Sequence, residues 1–153
     1  MKYFLLYLLV SLTVSNSADA QSIVGAWKML SQVTLNEDGT EKDLTALQRK
    51  QWPCLADLQT IFGADGKQTM KLPAGCKSPM DYSKLPASTW TMKGNSITIS
   101  NKSLPTPLGT SSSYTVTFSG KKAVFTHEYS TEEKAKLRMG GKIKRIVITY
   151  ERV

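Results

Sequence analysis

Ser22-Ile23-Val24-Gly25-Ala26-Trp27 is the stretch from which the rest of the chain is read. It lies just past a leader-like N-terminus and opens a series of short apolar–polar alternations that runs to the C-terminus. Turn signals punctuate the series: Asn36-Glu37-Asp38-Gly39, Gly63-Ala64-Asp65-Gly66, Lys93-Gly94-Asn95 and Ser119-Gly120-Lys121. Between them the faces separate cleanly. Tyr114, Val116 and Phe118 oppose Thr115 and Thr117; Phe125, His127 and Tyr129 oppose Thr126 and Glu128. Trp90 and Met92 oppose Thr89 and Thr91, and Ile97 and Ile99 oppose Thr98 and Ser100. Leu58, Thr60 and Phe62 oppose Asp57 and Gln59, with Ile61 breaking the pattern. The last strand sets Ile146, Ile148 and Tyr150 against Arg145, Thr149 and Glu151. One apolar and one wet face per strand marks antiparallel hairpins, in a sandwich or a barrel.

Residues 1–20 read as a secretion signal. Lys2 is its basic start and Phe4 to Leu12 its apolar run, shorter than the roughly 20 residues of a membrane span. Ala18-Asp19-Ala20 is an A-x-A site, so cleavage is expected after Ala20, leaving 21–153 as one secreted or periplasmic domain. An integral membrane protein is not expected. The net charge is +8, and losing Lys2 and Asp19 together leaves it unchanged. The two cysteines, Cys54 and Cys76, read as a structural disulfide in an exported chain. The alternative, a redox or metal pair, lacks C-x-x-C spacing and a second Cys or His cluster.

Three segments lie outside the strand pattern. Leu44 to Gln51 is expected to form a short helix ending before Pro53. Leu72 to Pro86, with four Pro/Gly positions, is expected to be a loop pinned by Cys76. Thr131 to Arg138 is expected to make one or two helical turns, with Thr131 as N-cap and Gly140-Gly141 as the stop.

Chemistry-bearing motifs are sparse. No G-x-S-x-G, H-E-x-x-H, P-loop or G-x-G-x-x-G occurs. His127 is the only histidine, and it has the parity of Phe125 and Tyr129; a single inward His reads as a pocket or core group before a catalyst. Asp65-Gly66 is a turn dipeptide and needs no metal. Lys134, Lys136, Arg138, Lys142, Lys144 and Arg145 form a basic C-terminal cluster diluted by Glu132 and Glu133. It reads as a solvated face; the functional alternative is attraction to an anionic lipid or glycan. Nucleic acid is not expected, because no aromatic platforms are interleaved with the charge.

Taken in order, Gly25-x-Trp27, Cys54 just before a strand, Phe62-Gly63-Ala64-Asp65-Gly66-Lys67, Cys76, Trp90, the Gly94-Asn95 turn and the closing Ile148-Thr149-Tyr150-Glu151-Arg152-Val153 resemble the small bacterial lipocalin-like domain proteins of the calycin superfamily. The likeness spans nearly the whole mature chain. It implies an all-β, up-and-down antiparallel barrel of about eight strands with one or two short helical turns. It also implies an internal cavity for a small apolar ligand. No Thr-Asp-Tyr motif lies between the middle strands, so the receptor contacts of that loop are not carried over. In a closed barrel the first and last strands pair, which brings Trp27 near Arg152. Arg152 shares the parity of Ile148 and Tyr150. Its guanidinium over the Trp27 indole, beside Gly25, is the expected lock of the barrel floor; the alternative is a solvated terminal residue.

Inward parity then proposes a ligand-lining set of Met29, Ser31, Met70, Trp90, Tyr114, Val116, Phe118, Phe125, His127, Ile148 and Tyr150. Packing alone yields the same set, since small barrels are often filled by their own side chains. The expected function is non-catalytic binding of a small, largely apolar molecule, without a cofactor. The alternative is a filled barrel that recognises a protein or glycan through its surface or loops. An enzyme would need His127 beside a carboxylate at a cavity mouth.

Overall fold

A computed structural model describes residues 22–77, 82–102, 110–136 and 142–153. The leader, its cleavage site, Arg138 and Gly140-Gly141 lie outside the described residues. The strands are β1 (Gly25–Asn36), β2 (Glu41–Asp43), β3 (Gln59–Phe62), β4 (Lys67–Lys71), β5 (Ser88–Lys93), β6 (Ser96–Ser100), β7 (Ser111–Ser119), β8 (Lys122–Glu128) and β9 (Ile143–Arg152). Each pairs antiparallel with its neighbour in the order β2-β1-β3-β4-β5-β6-β7-β8-β9, and β1 also pairs with β9. That last ladder closes an eight-stranded up-and-down barrel from β1 and β3 to β9, with β2 as a short flap on β1. Closure removes the free sheet edges. Two short helices, α1 (Leu44–Gln51) and α2 (Thr131–Lys136), sit at one end. No helix among the described residues is long and apolar enough to cross a membrane.

The two ends differ because of which connections they carry. The tight β3–β4, β5–β6 and β7–β8 turns, the start of β1 and the end of β9 gather at one end. There Trp27, Phe62, Ile97, Val116, Ala123 and Phe125 form a fully buried core with Ile23. Phe62 stacks on Phe125 at 6.0 Å and meets Trp90 edge-on at 5.8 Å, while Trp27 tilts against Phe118 at 6.2 Å. The long connections, α1 and α2 lie at the opposite, open end.

The alternation of β1 breaks in the middle. A register shift against β9 separates Met29, opposite Tyr150, from Ser31, opposite Thr149, so Leu30 is the extra residue of a β-bulge. Parity therefore flips. Gln32 and Thr34, opposite Ile148 and Ile146, take the inward side, and the expectation for Ser31 is corrected. On its other edge β1 pairs with β3 through Gly25–Lys28 and with β2 through Val33–Leu35, leaving 29–32 without a strand partner there. Helix α1 serves that stretch: Arg49 donates to the Met29 carbonyl at 2.8 Å, and the Thr45 hydroxyl accepts from the Gln32 amide. Asp43 caps the helix, accepting from the Thr45 and Ala46 amides at 2.8 and 3.1 Å.

The second helix starts differently from expectation. Ser130, not Thr131, is its cap: the Ser130 hydroxyl accepts from the Glu133 amide at 3.2 Å and the Glu133 carboxylate accepts from the Ser130 amide at 2.7 Å. This is a capping box, which needs Glu three residues after the hydroxyl; only Ser130 meets that spacing. A Cys54–Cys76 disulfide ties a 3-10 turn, Pro53–Asp57, to the loop after β4.

Candidate functional site

The floor is built from the two termini of the barrel. Trp27 pairs with Arg152 across the β1–β9 ladder, and the guanidinium lies 4.5 Å from the indole centroid. Arg152 Nη1 donates to the Val24 carbonyl at 3.1 Å and Nη2 donates to the Ser22 carbonyl. The Trp27 indole N–H donates to Ile23 at 2.7 Å. Gly25 has φ +133°, and a Cβ there would stand 3.1 Å from Arg152 Nη1. The Gly-x-Trp opening is thus explained twice: the backbone is in a region L-residues avoid, and the arginine occupies the space.

Above this floor the interior is not filled. A cavity of about 220 Å³ is lined by Gln68, Met70, Ile99, Asn101, Thr110, Ser111, Ser112, Tyr114, Phe125, Ile148 and Tyr150. A second, of about 200 Å³, lies under α1 and the disulfide-tied turn, between Met29, Gln32, Gln48, Leu55, Leu58, Thr60, Met70, Tyr82, Ile148 and Tyr150. Met70, Ile148 and Tyr150 are walls of both. Of the residues singled out by parity, Met29, Met70, Tyr114, Phe125, Ile148 and Tyr150 come together around these spaces. Trp90, Val116 and Phe118 pack into the lower core instead. Trp90 donates its indole N–H to the Gly63 and Lys67 carbonyls, both at 3.2 Å, which fastens it to the β3–β4 turn.

Burial sets the electrostatics of the two cavity phenols. It pushes the Tyr150 hydroxyl up to about 12, helped by the nearby Tyr114 and opposed by a hydrogen bond with Thr60. It raises Tyr114 as well, against a hydrogen bond with Ser112. Phe125 meets Tyr150 and Tyr114 edge-on at 5.0 and 6.0 Å. The upper interior is therefore a mixture of aromatic and aliphatic side chains with amides and hydroxyls, and its two phenols are held neutral.

His127 stands apart from that lining. The β7–β8 ladder ends at Thr115 opposite Thr126, and above it the strands part. His127 sits at that seam between Tyr114 and Tyr129, 5.8 and 4.7 Å from their ring centres. Its Nδ1–H donates to the Ser113 carbonyl at 2.7 Å, and Nε2 lies 3.2 Å from Glu133 Oε1 without hydrogen-bond alignment. Burial works against the Glu133 charge, but the Ser130 amide and hydroxyl, and then His127, hold that carboxyl below its usual range. His127 thus bonds the barrel wall through Nδ1 and turns Nε2 toward α2. The basic cluster is partly neutralised within the fold: Lys134 pairs with Glu37, and Lys136 with Glu132 at 2.7 Å. Among the described residues no group of three or more His, Cys, Asp and Glu gathers to hold a metal.

Reading the sequence misses much of the polar lining, Gln32 and Gln68 included. Gln32 is hidden by the bulge. Gln68 is opposite Phe62 on the inward side of β4 and only 8% exposed. Its signal was its place two residues before Met70, at the same parity. No protein-family model matches the chain, and no curated protein matches it.

Proposed function

We propose that this protein is an exported, non-catalytic carrier that holds a small, largely apolar molecule in the open end of its barrel, and that it belongs to the lipocalin-like family its motifs resemble. The observation that carries the reading is the contrast along the barrel axis. A floor sealed by Trp27, Phe62 and Arg152 lies beneath two spaces of about 220 and 200 Å³ that share Met70, Ile148 and Tyr150. Such a layout leaves apolar surface available to a guest without exposing the core. Burying about 200 Å² of apolar ligand surface contributes on the order of 5 kcal/mol before the costs of association. The Cys54–Cys76 bridge is compatible with an oxidising compartment and so supports export.

The test is a titration of the mature protein, residues 21–153, with fatty acids, fatty amides, terpenoids and tetrapyrroles, read by tryptophan quenching. Saturable one-to-one binding by at least one class is expected. Absence of any saturable binder contradicts the reading.

A further inference from the structure

Among the described residues, Met70 alone borders both interior spaces, of about 220 and 200 Å³, and a third of about 150 Å³ beside them. It pairs with Thr60, as Gln68 does with Phe62, so its side chain shares the inward face of β4. Yet Met70 is 39% exposed. The reason is a gap in the wall: β5 pairs with β4 only at Lys67 and Gln68, which leaves residues 69–71 without a strand on that side. The third space occupies this gap, between Met70, Ser88 and the Tyr82, Leu85 and Pro86 side of the β4–β5 connection. The two interior spaces share three walls, Met70, Ile148 and Tyr150. Two of these are held. Tyr150 is hydrogen-bonded with Thr60 and meets Phe125 edge-on at 5.0 Å. Ile148 is β-branched and lies within the ladders to β1 and β8. Met70 is unbranched and turns about three side-chain bonds. A dry cavity of roughly 150 Å³ holds a benzene ring, so either interior space alone takes about eight or nine carbon atoms. No described residue lining any of the three spaces is charged, in a chain with 20 basic and 12 acidic residues. An ion there would lack a counter-charge, at a large desolvation cost.

Resting on the carrier reading above, we infer that Met70 is the movable partition of a single site, whose guest is an uncharged, chain-like apolar molecule of about twelve carbons or more running from one interior space into the other. Turning the thioether into the β4–β5 gap joins the two spaces; a shorter guest leaves it in place. A passage opened by one side chain admits a chain and not a fused ring system. Met70 thereby sets the length of chain the barrel accepts, while Ile148 and Tyr150 stay fixed.

Hexanol, octanol, decanol and dodecanol, each displacing a neutral fluorescent apolar dye at pH 8, test this. On the wild-type protein, affinity is expected to rise by up to about fourfold per added methylene, through dodecanol. In Met70→Phe, whose rigid ring fills the junction, the rise is expected to stop after octanol while octanol affinity is retained. In Met70→Ala it is expected to continue through dodecanol. Dodecanoate, ionised at that pH, is expected to bind the wild-type protein about tenfold or more weaker than dodecanol. Should Met70→Phe not fold, the length profile of the wild-type protein decides alone. A wild-type rise that stops after octanol overturns the joined site. A folded Met70→Phe protein whose affinities climb like the wild type's, or a Met70→Ala profile that stops after octanol, overturns the role of Met70. Dodecanoate binding as tightly as dodecanol overturns the uncharged class. In each case the carrier reading stands. No binding by any alkanol, with another apolar ligand bound, overturns this inference alone; no binding by any apolar ligand removes both.

Discussion

Replacing Arg152 by Ala removes the lock of the barrel floor, and the structure sets the size of the loss. Three interactions go: the guanidinium at 4.5 Å from the Trp27 ring centre, the Nη1 bond to Val24 at 3.1 Å and the Nη2 bond to Ser22. A partly desolvated cation–π pair contributes about 1 kcal/mol. The two charged hydrogen bonds contribute about 1 kcal/mol each once their partial solvent access is discounted. The Arg152 backbone amide still bonds to Lys121 at 2.8 Å, so the β9 terminus itself stays in place. The expected loss is therefore about 2–4 kcal/mol, a fall in melting temperature of roughly 6–16 °C for a domain of this size. Urea unfolding followed by tryptophan fluorescence measures it, and the emission of Trp27 is expected to shift red in the folded baseline. Arg152→Lys keeps the charge without the fork and is expected to recover less than half. A loss below about 0.5 kcal/mol for Arg152→Ala, or full recovery with lysine, refutes the lock.

Three further outcomes follow from the same geometry. Gly25→Ala is expected to cost about 1–3 kcal/mol in chemical denaturation, from the φ of +133° and the close approach to Arg152, and combining it with Arg152→Ala should cost less than the sum. Replacing both Cys54 and Cys76 by Ser is expected to cost about 3 kcal/mol, the chain-entropy value for a separation of 22 residues, and reduction of the wild-type protein should give the same melting temperature as the variant. Tyr150 is held neutral in the fold, up to about 12, above its unfolded value of 10.0, so its contribution is complete below pH 10 and is lost as pH rises from there toward 12. Tyr150→Phe should therefore show a smaller loss of stability between pH 10 and 12 than the wild-type protein, by up to about 2–3 kcal/mol.

Much of the barrel is legible in the sequence because strand parity has period two and the turns carry Gly with Asn or Asp. Trp27, Phe62, Ile97, Val116 and Phe125 land in the core where alternation places them. Closure places Trp27 near Arg152, and the parity of Arg152 with Ile148 and Tyr150 turns its side chain toward the indole. What is not legible depends on side chains remote in sequence. The bulge at Leu30 has no glycine to mark it; it is held by Thr45 and Arg49 reaching back from α1, about fifteen to twenty residues later. Ser130 and Thr131 both offer a hydroxyl to the start of α2, and only the Ser130–Glu133 spacing tells which one caps it. Gln68 reads as a surface residue by type, and parity alone carries it inward. Whether inward residues touch one another or leave room is a question of packed volume. Trp90 and Phe118 close the lower half, while Met70, Ile148 and Tyr150 border open space above it.

The most direct test of the open-ended barrel is to fill it. Ile148 borders both upper spaces, and Ile148→Trp places an indole in the volume the guest is to occupy. A neutral environment-sensitive apolar dye titrated against the wild-type protein and this variant decides the matter, with far-ultraviolet circular dichroism to verify that the strands persist. Saturable binding to the wild type and its loss, by at least tenfold, in the folded variant is the predicted result. Undiminished dye affinity in a folded Ile148→Trp protein places the guest elsewhere and contradicts the account.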